Sequence, residues 1–369
     1  MSVTVKNSLA IDRAFETVEI DLKDMDLKGQ TLEVINTETN EVIISQIINQ
    51  NKKSSAGSFL LFQPRISAYS EATYKVNLIP IKDIDSTLMR CYSRFVPERT
   101  DDYAWENNKV AFRTFGPVAQ KMVEDGVKGG TLTSGIDAWL KRVEYPIINK
   151  WYAKEALEKG AYHKDTGEGL DNFHVGISRG VGGLAVKTDS TYAVSKNFTN
   201  WETISTGPIR TSFILDYQDW YANGKIIKER KYISLDYGHN LTRYIVELKG
   251  IDRVSIGLTL HKKDGEVTTK TDEGWMSYWE PFFDSELGQG VVLKNKSALI
   301  NFDRFVTDQK DQSNLYVESN VSAPIEYYAG FGWKKSGQFQ SKAEWNTYLS
   351  RFSKCLENPI EVHVEWLPN

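Results

Sequence analysis

"IRTSFILDYQDWYANGKIIKERKYISLDYG", residues 209–238, alternates apolar with polar side chains and is interrupted by Asn223-Gly224. A strand sends successive side chains to opposite faces, so this alternation reads as antiparallel β-structure with one solvated face. The same pattern recurs in "SFLLFQP" (58–64), "ATYKVNLIP" (72–80), "KVAFRTFGP" (109–117), "RVSIGLTLHK" (253–262) and "IEVHVEW" (360–366), and "QTLEVINTETNEVIISQII" (30–48) reads as a hairpin. Many short strands broken by Gly, Asn, Asp and Pro, with few helices, predict a mainly β chain built from sandwiches.

Two stretches predict helices. Ser341-Lys342-Ala343-Glu344 is a capping box, and Trp345, Tyr348, Leu349, Phe352 and Leu356 follow on one stripe, so this helix should pack onto a sheet. In "SGIDAWLKRVEYPIINKWYAKEALEKG" (134–160), Ile136, Trp139, Leu140 and Val143 share a helical face until Pro146 ends or kinks it. A change from a Trp-free, Ile/Asn/Lys-rich beginning to a Trp-rich remainder divides the chain into a small N-terminal β-subdomain (1–88) and one large β-domain (89–369). No repeat or low-complexity tract is present.

With 369 residues the chain can bury a sizeable core, and a 40% hydrophobic fraction argues against disorder. A formal net charge of −4 supplies no general attraction to nucleic acid or acidic membranes, and no apolar run approaches the length of a membrane span. Two cysteines, Cys91 and Cys355, support neither a disulfide framework nor a cysteine-based zinc site, although one bridge could form. "MSVTVKNSLAIDRAFE" lacks the apolar core of a signal peptide. The aromatic content is high, with 10 Trp, 18 Tyr and 16 Phe. Such side chains suit sheet cores and equally the C–H faces of sugar rings.

The chemistry concentrates in "GEGLDNFHVGISRGVGG", residues 167–183. Gly176–Gly180 spells the G-x-S-x-G of a hydrolase elbow, and Gly180–Ala185 the G-x-G-x-x-A of a dinucleotide turn. Both motifs require a helix next, whereas "RGVGGLAVKTDSTYAVS" is a poor helix former, so neither is assigned. The glycines read as turns that admit close backbone approach or join strands. Around them stand His163, Asp165, Glu168, Asp171, Asn172, His174 and Arg179. His163, Asp165, Asp171 and His174 could be drawn as metal ligands, but no compact ligand motif is present, and neither metal nor cofactor is called for. Two of five histidines within twelve residues, beside arginine and amide groups, point instead to acid–base chemistry near neutral pH.

Long segments carry a family resemblance: "VKNSLAIDRAFETVEI" (5–20), "RFVPERTDDYAWENNKVAFRTFGP" (94–117), "SGIDAWLKRVEYPIINKWY" (134–152), "YHKDTGEGLDNFHVGISRGVGG" (162–183) and "YYAGFGWKKSGQFQSKAEWNTYL" (327–349). They resemble a Bacteroidetes family of domains of unknown function that includes an ulvan oligosaccharide dehydratase. The resemblance implies a large antiparallel β-sandwich of the galactose-mutarotase-like supersandwich type, as in several polysaccharide lyases. It also implies export to the periplasm and a uronate-containing oligosaccharide as partner.

A uronate dehydratase removes the C5 proton beside a carboxylate and expels the C4 hydroxyl, leaving a 4,5-unsaturated sugar. The C5 proton is barely acidic unless the carboxylate is neutralised, so donors around it are the largest expected contribution, about 3 kcal/mol each. His174 is the candidate base, with Asn172 and Arg179 at the carboxylate and Tyr145 or His163 as acid. Arg113 and Arg210 are further clamps, Glu280 a hydroxyl binder, and Trp279, Trp105 or Trp275 stacking platforms. A lyase expelling a sugar rather than water, and a non-catalytic carbohydrate-binding protein, are the alternatives.

Overall fold

The computed structural model describes all residues except 24, 26, 28, 50–56, 82–84, 322–323 and 367–369. As the alternation predicts, strands dominate. Every pairing between named strands is antiparallel. Among the described residues there are three α-helices: α1 (Pro117–Glu124), α2 (Ile148–Leu157) and α3 (Lys342–Glu357).

The stretch 209–238 lies in the largest sheet, where Arg210–Tyr217 pairs with Lys225–Asp236. That sheet runs from Phe198–Ser205 across to Glu266–Lys270. Against it lie two five-stranded sheets, one centred on Ala111–Thr114 and one on Arg253–Thr259, joined by a parallel bridge between Ile136 and Gly180. The three share one core, in which Phe112 and Leu140, Leu184 and Ile256, and Phe213, Tyr244 and Val291 meet. Trp105 is wholly buried there, stacked on Phe112.

Residues of the first eighty form two further sheets with a separate core around Val3, Val34, Leu60, Phe62 and Tyr74. Here the expected 1–88/89–369 division needs a correction. The last strand, Glu361–Glu365, returns to pair with Ser2–Lys6 and closes the N-terminal sheet. The 30–48 hairpin also differs from expectation. Gln30–Asn36 pairs with just the short Val42–Ile43 on the hairpin side and along its whole length with Glu71–Pro80 on the other, and Ser45–Asn49 crosses to the other N-terminal sheet.

α3 has the anticipated cap: Ser341 Oγ accepts from the Glu344 N–H, and Glu344 Oε2 accepts from Gln340 N–H. Its Trp345 and Leu349 pack on Trp275, Trp279 and Val292 of the large sheet. The other helix expectation fails in its first half, because Asp137–Lys141 is a strand. Ala138 and Leu140 enter the main core while Trp139 packs with Ile148, Trp151 and Tyr162 on the other side. Apolar residues on both faces erase the alternation that marks a half-buried strand. The helix starts only after Pro146, where the buried carboxylate of Glu106 accepts from the N–H groups of Ile147 and Ile148, an anion placed at a helix N-terminus. Both cysteines are free.

Candidate functional site

After the short strand Gly169–Leu170 the chain runs extended, and period 2 again decides what faces where. Phe173 and Val175 enter the main core, which turns Asn172 and His174 the other way. They line a cavity of about 380 Å³ whose opposite walls are His261, Phe282, Phe283 and the 308–311 loop. His174 is exposed, in open contact with this cavity.

Two histidine–carboxylate pairs meet here. His174 Nε2 lies 2.9 Å from Asp311 Oδ2. His261 Nδ1 lies 2.7 Å from Glu280 Oε1, which also accepts from Gln289 Nε2 at 3.0 Å. The His261 ring is clamped by the edge of Phe173 at 4.5 Å and by Phe282 at 5.2 Å. Burial pushes the Glu280 carboxyl upward, while the bonds from His261 and Gln289 oppose that shift. With Nδ1 committed to Glu280, the other ring nitrogen is the free one, and Nε2 has no partner. Asn172 Oδ1, Glu280 Oε2 and Gln289 Oε1 are likewise buried and unpartnered. Leaving a buried polar atom unsatisfied costs about 1–3 kcal/mol, so the two of these on cavity-lining residues, His261 Nε2 and Asn172 Oδ1, mark a wall completed by a ligand.

The rim carries Phe283, 73% exposed and at φ 52° in the tight turn between Trp275–Phe282 and Ser285–Leu293. Left-handed backbone is costly for a bulky residue, and such strain gathers at binding sites. The turn presents a flat aromatic face beside the histidines. Lys262 and Lys310 add positive charge to the lining.

The remaining candidates from sequence fall elsewhere. Arg113 is enclosed by Asp137 at 2.6 Å, Asp171 at 2.9 Å and Asp102 at 3.6 Å, so it cannot clamp a substrate carboxylate. Arg210 is likewise consumed by Asp236 and Glu19. Arg179 lines a different cavity from His174. His163 Nδ1 bonds the Asp171 carbonyl, and Tyr145 donates at 2.6 Å to Glu168, which makes the tyrosine a weaker acid; neither lines the His174 cavity. Glu280 stands behind His261 rather than at sugar hydroxyls. Trp279, the next residue along the strand, must face the opposite side, and with Trp275 it lies under α3. Trp105 donates to Thr242 inside the core. None of these three tryptophans is available to a sugar ring. Of the four residues drawn as metal ligands, His163 and Asp171 are neighbours but Asp171 serves Arg113, while Asp165 pairs with Arg142 and His174 with Asp311. Ser178 of the elbow motif is fully buried and bonded to Thr259, with a strand following.

Sequence reasoning passed over His261 and Asp311. Their partners are 19 and 137 residues distant, and no local spacing announces either pair. A larger cavity, about 540 Å³, lies between segment 12–19 and the large sheet. Within it Arg13 pairs with Glu16 and Arg210 with Glu19 and Asp236, Arg243 pairs with Glu326 beside it, and its histidine, His239, bonds a backbone carbonyl. It reads as a junction between the two β-units.

A family model described as "Domain of unknown function (DUF4861)" matches residues 5–362. The chain belongs to the DUF4861 family. This DUF4861 chain is 54% identical over 370 residues to "Uncharacterized protein P7" of Formosa agariphila, with 98% of the chain and 93% of the relative covered. Among solved structures it is similar to an alpha-mannosidase from Enterococcus faecalis V583, with a TM-score of 0.50 and 8% identity over 99% of this chain and 46% of that one. A glycosyl hydrolase family 38 protein from Enterococcus faecalis matches with a TM-score of 0.46 and 7% identity, over 99% of this chain and 47% of that one. The DUF4861 chain thus spans about half the length of these solved structures. The likeness to the alpha-mannosidase is one of fold.

Proposed function

We propose that this DUF4861 protein removes water from the terminal uronic acid of an oligosaccharide, of ulvan type, and works in the periplasm. The observation that carries the reading is the pair of histidine–carboxylate couples on one cavity, with His261 Nε2 and Asn172 Oδ1 buried and unpartnered. A sugar ligand agrees with the fold that the chain shares with an alpha-mannosidase.

His261, held through Nδ1 by Glu280, takes the C5 proton at Nε2. The C–H electrons form the C4=C5 double bond, and the C4 hydroxyl departs as water with a proton from His174. Asp311, 2.9 Å from His174 Nε2, holds the ring in place for this step. Lys262 and Lys310 surround the uronate carboxylate, Asn172 Oδ1 accepts from a sugar hydroxyl, and the sugar ring lies on Phe283. His261 thereby takes the role of base that sequence alone assigned to His174, and His174 becomes the acid.

Incubation with a panel of uronate-terminated oligosaccharides, read by mass spectrometry and ultraviolet absorbance, tests this. The expected product is lighter by one water and absorbs as an unsaturated uronate. A shortened chain would identify a lyase instead, and binding without any product would leave a carbohydrate-binding protein.

A further inference from the structure

Arg179 is 1% exposed and carries a charge that no acid neutralises directly. Its two terminal nitrogens donate to Ser134 Oγ, Leu184 O, Thr133 Oγ1 and Ile177 O, all uncharged, and among the described residues no Asp or Glu forms an ion pair with it. Glu229, the carboxylate whose field reaches it, pairs with Lys231 at 3.0 Å. Burial therefore pushes the guanidinium below its usual range. The site is built for this side chain: a Cβ at Gly257 would stand 2.5 Å from Arg179 Cγ, so glycine there leaves its space open. Uncompensated buried charge is strongly disfavoured unless a counter-charge completes it.

Arg179 lines a cavity of about 370 Å³ that shares no residue with the His174 cavity. Ser195 also lines it, 3% exposed, and its Oγ has no hydrogen-bond partner. The walls are aromatic and aliphatic: Tyr192, stacked on Tyr316 at 3.8 Å, and the exposed Ile177 and Val194 at the rim. A buried cation, an unused hydroxyl and an apolar rim together fit a negatively charged substituent on a ring with apolar faces.

We propose that this cavity is an oxyanion subsite that takes the carboxylate or sulfate group of a sugar residue, with the oxyanion toward Arg179 and Ser195 and the ring against Ile177 and Val194. It stands apart from the elimination at His261 and requires no catalysis.

Calorimetric titration of the intact chain with glucuronate, glucose 6-sulfate and glucose tests it, using Ser195→Ala because no protein hydrogen bond is lost with that hydroxyl. The expected result is a binding component for at least one of the two anionic sugars that glucose lacks, weakened about 5-fold or more in the folded Ser195→Ala variant. The probe that shows it identifies the oxyanion. An isotherm unchanged by Ser195→Ala, or glucose binding as well as both anions, overturns the proposal. Water elimination is followed in parallel. Its absence with the Ser195-dependent component intact defeats only the catalytic reading, and its presence without that component defeats only this one.

Discussion

Asp311 reaches His174 across a position that has no side chain: a Cβ at Gly176 would stand 2.2 Å from Asp311 Oδ2, the atom 2.9 Å from His174 Nε2. Gly176 also sits at φ 54°, and Asp311 itself at φ 59°. Two left-handed residues therefore bring the carboxylate against the imidazole. Gly176→Ala is expected to lower stability by more than about 1 kcal/mol and to lower turnover further by expelling Asp311. Thermal unfolding and product absorbance measured on the same preparation check both parts; full turnover in a folded variant contradicts the His174 assignment.

The His261–Glu280 pair makes a stronger demand. His261→Asn is expected to reduce elimination by roughly 100- to 10,000-fold, the usual worth of a positioned general base. Glu280→Gln, which keeps the shape but loses the carboxylate that orients Nδ1, is expected to cost at least roughly 10-fold. Initial rates across pH decide it, and His261→Asn turning over at the parental rate removes His261 from the mechanism.

Phe283 separates binding from chemistry. Phe283→Ala is expected to raise KM by roughly 2- to 12-fold while kcat holds, as stacking on a ring is worth about 0.5–1.5 kcal/mol. Because position 283 is left-handed, Phe283→Gly should unfold at a higher temperature than Phe283→Ala, by about 1 kcal/mol in stability. Steady-state kinetics and calorimetry of the two variants make the comparison.

The buried cluster around Arg113 predicts a pH dependence of stability. Burial raises Asp102 from 3.8 to about 6, partly opposed by Arg113 and Arg99. The folded chain thus holds this proton more tightly than the unfolded chain. The associated stability is complete below pH 3.8 and is lost as pH rises to about 6, up to about 3 kcal/mol in all. Asp102→Asn should flatten that fall, which urea unfolding between pH 3.5 and 7 would reveal. Glu168 runs in the opposite sense. Burial opposes its ionisation, but Lys150, Tyr145 and Lys154 hold it at about 2 against 4.5, so its contribution is complete above pH 4.5 and fades as pH falls toward 2.

Much of the architecture was legible because strand alternation and capping are local. The stretch 209–238, the capped helix α3 and the rejection of both glycine motifs followed from near neighbours in the chain. Residues 137–141 misled because a strand buried on both faces imitates helical spacing. At the candidate site, Asn172 and His174 were identifiable from a histidine-bearing segment, and the structure brings them to one cavity. Arginines and tryptophans were misplaced for a common reason. Residue type says that Arg113 can bind a carboxylate, but only packing shows that three aspartates of the same chain already do so.

By itself the sequence determined a mainly β chain, where its turns fall, and which short segment bears titratable side chains. Periodicity and turn chemistry act over a few residues and need no distant partner. The tertiary structure alone decided that His261 faces the His174 cavity with Glu280 paired behind it, that Arg179 lines another without a counter-ion, and that the strand Glu361–Glu365 closes the first sheet. Each of these depends on groups far apart in the chain, and their contacts are set by how the sheets stack and by what burial leaves unpaired.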